Sequence, residues 1–374
     1  MNKKVYILTY HCAMNVGAIL QCYALYETIK SMGYNVEVID FRPSLVAHQD
    51  IIDYISLSNV ALFKYRLKNV IKFLFRVLKY GLDRNKHIYI YNKDIVQSFG
   101  DFLKKNIKLT EKVFIKKEEL KYFSKINAVY ITGSDQVWNP LLSGELNAYL
   151  LDFVENGTKN SYAASFGNND LAKENAQIFQ KALNDYTSIT VREQSGVELL
   201  AGICNKPVFG VLDPVFLLSK EKWNKRCIKT KLKLPYVFVY RMEENHKFNE
   251  VLQKLKEERP ELKILKFDSL KNNIGADYTI PNAGPAEFIS YIFDCEYVVT
   301  NSFHGTAFSV IGNKPGFIIP HTKYNERINS LAELCDMVLI DGVYNLEPKN
   351  IDKFKENKVK SLTMLENICK GYSL

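Results

Sequence analysis

The sequence lacks the patterns that mark several common kinds of binding site. Its seven cysteines are scattered, without a CxxC pair or other metal-ligand spacing, so we expect reduced thiols. Neither a DxD motif nor a cluster of His, Asp and Glu with ligand spacing is present, and no GxGxxG turn supports dinucleotide binding. Recognised nucleic-acid-binding motifs are missing as well. We therefore expect no metal, no bound cofactor and no nucleic-acid partner.

Long apolar runs are also missing. No apolar span reaches the roughly 18 residues that a membrane helix needs. The first apolar run, Val5–Thr9, is a β-strand that is too short for a signal peptide, so we expect a cytoplasmic protein. The excess of 50 Lys and Arg over 41 Asp and Glu gives a formal charge of +9, which favours anionic ligands or an anionic surface.

What the sequence does contain is an alternation of apolar strands and amphipathic helices. Strand Val5–Thr9, a helix at 17–32 that Gly33 stops, and a strand at 35–40 form a βαβ opening. The chain of 374 residues, 47% hydrophobic, is long enough for two domains, each with its own core. The pattern predicts an α/β protein with doubly wound parallel sheets.

We predict four segments. Residues 1–218 form an N-terminal Rossmann-like domain, and the lysine-rich stretch at 219–234 is a crossing linker. Residues 235–350 repeat the strand and helix alternation as a C-terminal Rossmann-like domain, and 351–374 form a helix that returns to the first domain. Two such domains facing a cleft are typical of the GT-B architecture.

The most informative segment is 297–311, where an apolar strand ends in polar residues just before an apolar helix. Ligands of α/β proteins bind at such strand ends, and the helix N-terminus favours a phosphate or carboxylate. Ser302 and His304 are therefore candidate site residues. Gly305 favours this interpretation, because a residue without Cβ lets a ligand approach the backbone. The alternative is that His304 only caps or packs the helix.

Two further strand ends carry candidates. Asn15 and Gly17 lie at the turn between the first strand and the first helix, and Ser134 and Asp135 follow the strand at 128–132. The Asp135 carboxylate would accept a proton or a hydrogen bond from a ligand hydroxyl. Capping of a turn by the same side chain explains it equally well.

Basic side chains at the same edge suit an anion. Arg192 leaves a buried strand, and its planar group would hold a carboxylate or phosphate through two hydrogen bonds. An ion pair with Glu193 or Glu198 is the alternative. Lys323 and Arg327 follow a later strand and are alternative anion clamps, and their neighbour at 321 is a histidine that we treat as a loop residue.

Two other features have unremarkable explanations that we favour. His11 and Cys12 are adjacent, but side chains at adjacent strand positions point apart, which argues against a paired thiol nucleophile. Residues 63–80 form a basic amphipathic helix that would suit an anionic membrane surface. We favour a helix docked on its own domain, with its basic face in solvent.

Several short motifs, in order, resemble the polysaccharide pyruvyl transferase family. The motifs are NVGAILQCYAL at 15–25, GSDQVWNP at 133–140, YAASFG at 162–167, VRE at 191–193, LDP at 212–214 and TNSFHGT at 300–306. They span most of the chain. The resemblance implies a GT-B-like fold and transfer of a pyruvyl group from phosphoenolpyruvate (PEP) to two sugar hydroxyls.

This family chemistry needs a proton donor, a base for the hydroxyls and cations for a carboxylate and a phosphate. Histidine titrates near neutral pH, so His304 is the acid and base candidate. The family's functional Arg and His carry over to Arg192 and His304, and its downstream Lys carries over to Lys323. The expected partners are PEP and a glycan of a cell-surface polysaccharide or of its lipid-linked precursor, with peripheral contact at the inner membrane surface.

Two other functions fit the same sequence. A metal-independent GT-B glycosyltransferase would use His304 and Arg192 to hold the diphosphate of a nucleotide-sugar. A non-catalytic binding protein would keep the fold without the chemistry. Donor preference separates pyruvyl transfer from glycosyl transfer, and turnover separates both of them from a binding protein.

Overall fold

A computed structural model gives the fold. It describes residues 3–43, 88–89, 95–167, 172–230, 232–267, 270, 274–280, 283–321, 325–347 and 352–374. The amphipathic helix predicted at 63–80 and the candidate Lys323 lie outside these ranges.

The described strands and helices alternate along most of the chain. The strands are β1 Val5–Leu8, β2 Val36–Phe41, β3 Ile88–Tyr89, β4 Leu109–Phe114, β5 Ala128–Thr132, β6 Gly157–Ser161, β7 Tyr186–Val191, β8 Val208–Gly210, β9 Tyr236–Tyr240, β10 Lys263–Lys266, β11 Tyr278–Thr279, β12 Tyr297–Thr300, β13 Gly316–Ile318, β14 Val338–Ile340 and β15 Val343–Leu346. The α-helices are α1 Val16–Ser31, α2 Ile95–Asn106, α3 Pro140–Ser143, α4 Leu146–Tyr149, α5 Lys173–Leu183, α6 Gln194–Ala201, α7 Lys220–Asn224, α8 Lys247–Glu258, α9 Pro285–Asp294, α10 Phe303–Gly312, α11 Glu326–Leu334 and α12 Asp352–Lys370. Two 3-10 helices cover Lys117–Phe123 and Pro214–Leu217.

The chain divides into two compact units. The first comprises Met1–Gln49, Leu103–Leu218 and Ile351–Leu374, and the second comprises Asp50–Phe102 and Ser219–Asn350. Each contains its own sheet and its own hydrophobic core.

The sheet of the first unit runs in the order β4-β2-β1-β5-β6-β7-β8, and all its described pairings are parallel. Helix α1 is buried along almost its whole length, which explains why its sequence is apolar on every side. Trp138 lies in the core of this unit, with its ring centroid 5.7 Å from those of Phe166 and Phe179. Such aromatic packing stabilises the strand ends beneath the candidate residues.

The sheet of the second unit runs in the order β14-β15-β13-β12-β9-β10-β11-β3. Its central pairings are parallel, and the β14–β15 hairpin adds an antiparallel edge. The predicted α/β class, with two Rossmann-like doubly wound sheets, is confirmed.

Two segments differ from the expected division. The described residues 88–89 and 95–102 belong to the second unit, where β3 pairs with β11 and the Ser98 hydroxyl donates to Glu287 at 2.8 Å. The segment expected to be a linker at 219–234 contains α7, and its Trp223 is buried with its ring 4.9 Å from that of Phe308. The many lysines of this segment suggested a linker, because a single large aromatic side chain changes the average composition very little.

The C-terminal helix α12 packs within the first unit. Its Ser361 hydroxyl accepts a hydrogen bond from the Leu212 amide at 3.0 Å, and the Phe354 ring lies 4.9 Å from that of Phe216. Helix α12 therefore completes a core that is built mostly from residues more than a hundred positions earlier.

Candidate functional site

The first candidate region lies where the parallel strands β1, β5 and β7 end. Beyond the strands, isolated bridges continue the ladder from Asp135 to Ala164 and from Ala164 to Val191. Parallel strands place their carboxyl ends at one edge of a sheet, so Asn15 and Arg192 follow strands at this same edge. We call this set of strand-end residues in the first unit the Asp135 edge.

Asn15 and Gly17 form the N-terminal cap of α1. The Asn15 side-chain oxygen accepts hydrogen bonds from the Gly17 and Ala18 amides at 2.9 and 3.2 Å. This capping satisfies two amides that a helix start would otherwise leave for a ligand. A substrate-binding role for either residue stays a prediction.

Asp135 has an unusual backbone conformation, with φ at +76°. A non-glycine residue in this region costs of the order of 1 kcal/mol or more, and such residues concentrate at functional sites. The Asp135 Oδ1 atom accepts from the Gln136 amide at 2.9 Å, and the main-chain oxygen accepts from Ser165 at 3.0 Å. The half-buried carboxylate is thus held at the strand end, and the turn interpretation and the proton-acceptor interpretation are both compatible with it.

Arg192 lies in a buried network. Its side chain is 3% exposed; Nε donates to Glu193 at 2.7 Å, Nη1 to Asp213 at 2.9 Å and Nη2 to the Ser165 hydroxyl at 3.2 Å. Burial by itself lowers the pKa of this guanidinium, but the carboxylates of Glu193, Asp213 and Asp135 outweigh it and raise the pKa. The predicted alternative of an ion pair with Glu193 is therefore present in the structure.

Asp213 is the centre of this network and was not among the sequence candidates. Besides Arg192, it accepts from the Ser134 hydroxyl at 2.9 Å and from the Val215 amide at 3.0 Å. Ser134 is consequently buried beneath the edge, a placement that favours a structural role over substrate binding. An Asp directly before Pro214 was a sequence signal for a helix cap, but nothing local indicated its ionic partner.

A second buried ionic cluster lies at the ends of β1 and β2. The His11 Nε2 atom is 3.0 Å from Asp40, and Arg42 donates twice to that carboxylate at 2.6 Å. Burial tends to raise the pKa of Asp40, and the hydrogen bonds from His11 and Arg42 lower it overall. Burial raises the pKa of the neighbouring Cys12 thiol to about 12, so this thiol is a poor nucleophile.

The second candidate region lies where β12 leads into α10. The Ser302 hydroxyl oxygen caps the helix by accepting from the Gly305 amide at 3.3 Å. A Cβ atom on Gly305 would lie 2.5 Å from the Thr300 Oγ1 atom and 3.0 Å from its Cγ2. The space beside Gly305 is filled by Thr300, so the physical reason for this glycine is helix packing on the strand and not the approach of a ligand.

His304 lies in the first turn of α10 and is buried, with 7% of the residue exposed. Its ring contacts the Phe303 ring edge-on, at 5.1 Å and 86°. The ring thus lies at the N-terminal end of α10, where the helix carries a partial positive charge that favours an anionic ligand.

Neighbouring strand ends bring further polar groups to this edge of the second sheet. The Asn301 side chain accepts from the Met242 amide at 2.7 Å and donates to the Glu243 carbonyl at 3.2 Å, which fixes the loop after β9. The Glu243 carboxylate lies 3.4 Å from His321 Nε2. We call Asn301, Glu243, Ser302, His304, His321 and Arg327 the His304 edge.

His321, which the sequence suggested was only a loop residue, is thus part of an acid and base pair. Desolvation lowers its pKa, Glu243 raises it and the charge of Arg327 lowers it, and the net direction is downward. Arg327 therefore acts electrostatically on His321, whereas Lys323 lies outside the described residues. Arg241, directly after β9, is a further buried cation, with its guanidinium 5.8 Å from the Phe248 ring centroid.

The described ranges contain neither a metal cluster nor a membrane helix. No group of three or more His, Cys, Asp and Glu side chains in them is arranged to hold a metal ion. None of the described helices is both long enough and apolar enough to span a membrane.

Comparison with known proteins adds the family. The profile of the polysaccharide pyruvyl transferase family matches residues 15–323, which is most of the chain. The protein belongs to the polysaccharide pyruvyl transferase family. No curated protein matches the chain in a sequence search.

Solved structures share the fold at low sequence identity. A protein described as a UDP-N-acetylglucosamine 2-epimerase from Listeria monocytogenes superposes with a TM-score of 0.53 at 10% identity, covering 99% of this chain and 91% of that chain. The UDP-GlcNAc 2-epimerase from Neisseria meningitidis bound to UDP-GlcNAc has a TM-score of 0.47 at 11% identity, covering 98% of this chain and 94% of that chain. The first similarity supports the GT-B-like fold class, and at this identity it carries no information on the substrate.

Proposed function

We propose that the protein transfers a pyruvyl group from PEP to two hydroxyls of a sugar in a cell-surface polysaccharide or its lipid-linked precursor, forming a pyruvate ketal. The observation that carries the proposal is the family match over residues 15–323. The two strand-end edges support it, because they supply a carboxylate, two histidines and an arginine of the kinds that this reaction requires.

The balanced reaction defines those requirements. Two sugar oxygens form bonds to C2 of PEP, and the bond from C2 to the phosphate oxygen breaks. The vinyl carbon gains one proton and becomes a methyl group, and inorganic phosphate leaves with the second proton. The two protons come from the two sugar hydroxyls, so proton donors and acceptors are needed, but no oxidant or reductant.

The His304 edge suits the proton transfers and the anions. His304 would protonate the vinyl carbon or receive a hydroxyl proton. His321, held by Glu243 and with a lowered pKa, would be neutral near pH 7 and suited to act as a base. Arg327 would hold the carboxylate or phosphate of PEP, and Lys323 stays the alternative clamp.

The Asp135 edge would supply a hydroxyl acceptor. The Asp135 carboxylate is half-buried and fixed by its backbone, so it would orient a sugar hydroxyl with little loss of entropy. Arg192 enters our proposal as the residue that supports this edge through Asp213, because all three of its donating nitrogens already have partners within the protein. Its predicted role as an anion clamp would need those bonds to be exchanged.

A thermal-shift titration tests the donor. The protein is titrated with PEP and, in parallel, with UDP, GDP and CMP, since a ligand that binds only the folded state raises the melting temperature. We expect stabilisation by PEP, and its loss in His304→Gln. His246→Gln is the matched control, because His246 is in the same unit with its side chain 78% exposed.

Each outcome has a clear meaning. Stabilisation by PEP that both variants retain would remove His304 from the donor site. Stabilisation by a nucleotide without PEP would contradict the proposal in favour of a nucleotide-sugar glycosyltransferase. A lack of response to any of these ligands, together with no release of phosphate from PEP, would favour a binding protein.

A further inference from the structure

An exposed patch of mixed basic and apolar character lies on the first unit. The patch comprises Lys112, Val113, Ile115, Lys116, Lys121 and Tyr122, on strand β4, the residues after it and the following 3-10 helix. Ile115 and Tyr122 are 61% and 59% exposed. We call it the basic edge patch.

Charge is concentrated around this patch. Residues 104–125 carry eight lysines and three glutamates, a net +5 out of +9 for the whole chain. One of the lysines, Lys108, is paired with Glu37 at 2.7 Å. Within the described ranges no carboxylate lies at ion-pairing distance from the three lysines of the patch, so their charges remain available to an anionic partner.

Glu119, one of the three glutamates of this segment, is used internally. The Glu119 carboxylate accepts from the Ile115 and Lys116 amides at 2.7 and 2.9 Å. These two backbone hydrogen bonds lower the pKa of Glu119. The same bonds fix the turn and leave the Ile115 side chain outward.

The aromatic part of the patch is ordered by packing. The Tyr122 ring packs against the buried rings of Phe114 and Phe123 at 5.8 and 5.1 Å, and the Lys112 ammonium lies 5.5 Å from the Tyr122 ring centroid. A tyrosine and branched apolar side chains among lysines are the mixture that binds at the boundary between lipid headgroups and acyl chains. Pure electrostatic binding to a soluble polyanion would not need exposed Ile115.

The position of the patch connects it to the Asp135 edge. Strand β4 is separated from β5 by β2 and β1, and all four strands are parallel. Three strand spacings amount to about 14 Å, so the end of β4 lies roughly that far from the end of β5, which carries Asp135. A surface bound there would lie beside the candidate site of this unit.

We propose that the basic edge patch binds the surface of an anionic lipid bilayer. Lysines would contact the headgroups, and Ile115 and Tyr122 would enter the boundary region. The inference does not depend on the chemistry of the transfer reaction, because binding to a lipid surface is measured without turnover.

The test is sedimentation of the full chain with vesicles of phosphatidylcholine, alone or with roughly a third phosphatidylglycerol, at about 0.15 M salt. We expect binding to the anionic vesicles only. Each lysine near an anionic surface strengthens the partitioning of a protein from water onto that surface about fivefold. The triple variant Lys112→Gln/Lys116→Gln/Lys121→Gln should therefore bind the anionic vesicles on the order of 100-fold more weakly than the wild type. The triple variant Lys225→Gln/Lys229→Gln/Lys254→Gln removes the same charge from exposed positions elsewhere and should bind like the wild type.

A fluorescence experiment tests the apolar part. The two native tryptophans, Trp138 and Trp223, are fully buried, so Ile115→Trp adds the one solvent-facing indole. We expect a blue shift of its emission on addition of anionic vesicles. Two results with vesicles would overturn the proposal: no binding by the wild type, or equal loss of binding in both triple variants. Binding to soluble polyphosphate is measured as a comparison. Vesicle binding that is no tighter than polyphosphate binding and gives no blue shift would overturn the proposal as well.

Discussion

Gly305 is explained either by close packing of α10 on Thr300 or by the approach of a ligand to the backbone. Substitution of Gly305 by alanine separates these two explanations. A new Cβ would lie 2.5 Å from the Thr300 Oγ1 atom, far inside van der Waals contact. Thr300 has little freedom to move, because its hydroxyl donates to the Tyr240 carbonyl at 2.6 Å and accepts from the Ser302 amide at 3.0 Å. Relief of the clash would require either a shift of α10 or loss of these hydrogen bonds.

The magnitude follows from opposing effects. Overpacking a well-packed site costs about 1–3 kcal/mol. Alanine is favoured over glycine within a helix by up to about 1 kcal/mol, which offsets part of that cost. We therefore expect Gly305→Ala to lower the free energy of unfolding by about 1–2 kcal/mol and, for units of this size, the melting temperature by roughly 2–8 °C.

The assay is urea unfolding together with the PEP thermal shift. Gly202→Ala is the control, because a Cβ there would have no heavy atom closer than 3.9 Å and the residue is exposed. In the double variant Gly305→Ala/Thr300→Ala, the loss should be smaller than the sum of the single losses, since the clash partner is gone. Unchanged stability with loss of the PEP response would refute our reasoning and support the approach of a ligand to the glycine.

Four further predictions concern the two edges. Asp135→Asn should fold normally, because Asn tolerates positive φ, and it should release phosphate from PEP about 100-fold more slowly than the wild type. Asp135→Val places a β-branched residue at positive φ and should lower the free energy of unfolding, measured in urea, by about 1–3 kcal/mol. Arg192→Met should lower the free energy of unfolding by about 3–5 kcal/mol because two buried carboxylates lose their partner, and a variant as stable as the wild type would contradict the network. Because the pKa of His321 is lowered in the folded state, the unfolded state binds more protons than the folded state just below the ordinary histidine pKa. The free energy of unfolding should therefore decrease as pH falls through that range. This pH-dependent decrease should be absent in His321→Gln. In the pH profile of kcat/KM, Glu243→Gln should move the limb set by His321 to still lower pH, because the carboxylate that raises this pKa is gone, and an unmoved limb would exclude His321 as the titrating group.

The fold could be predicted from the sequence because its signals are local. Apolar strands alternating with amphipathic helices specify parallel sheets, and the side chain of Ser302 marks the start of α10 by capping it. The candidate strand ends were found for the same reason. A strand that runs into polar residues can be recognised without knowledge of its partners.

The partners of those residues could not be predicted, because they depend on sheet order and register. Asp213 is 21 residues from Arg192 and Glu243 is far from His321 along the chain, and each pair meets only once the strands have assembled. The space beside Gly305 shows the same limit, since Thr300 fills it only in the folded register of β12 and α10. Strand ends can be predicted one at a time, whereas ionic networks require the whole sheet.

The most direct test of the central claim is an NMR measurement of the fate of PEP. PEP labelled with carbon-13 is incubated with the protein and lipid-linked glycans extracted from the native cell. We predict a new ketal methyl signal attached to the glycan, together with one inorganic phosphate for each ketal formed, and loss of both in His304→Gln. Unchanged PEP in a mixture where the protein consumes a nucleotide-sugar would contradict the account.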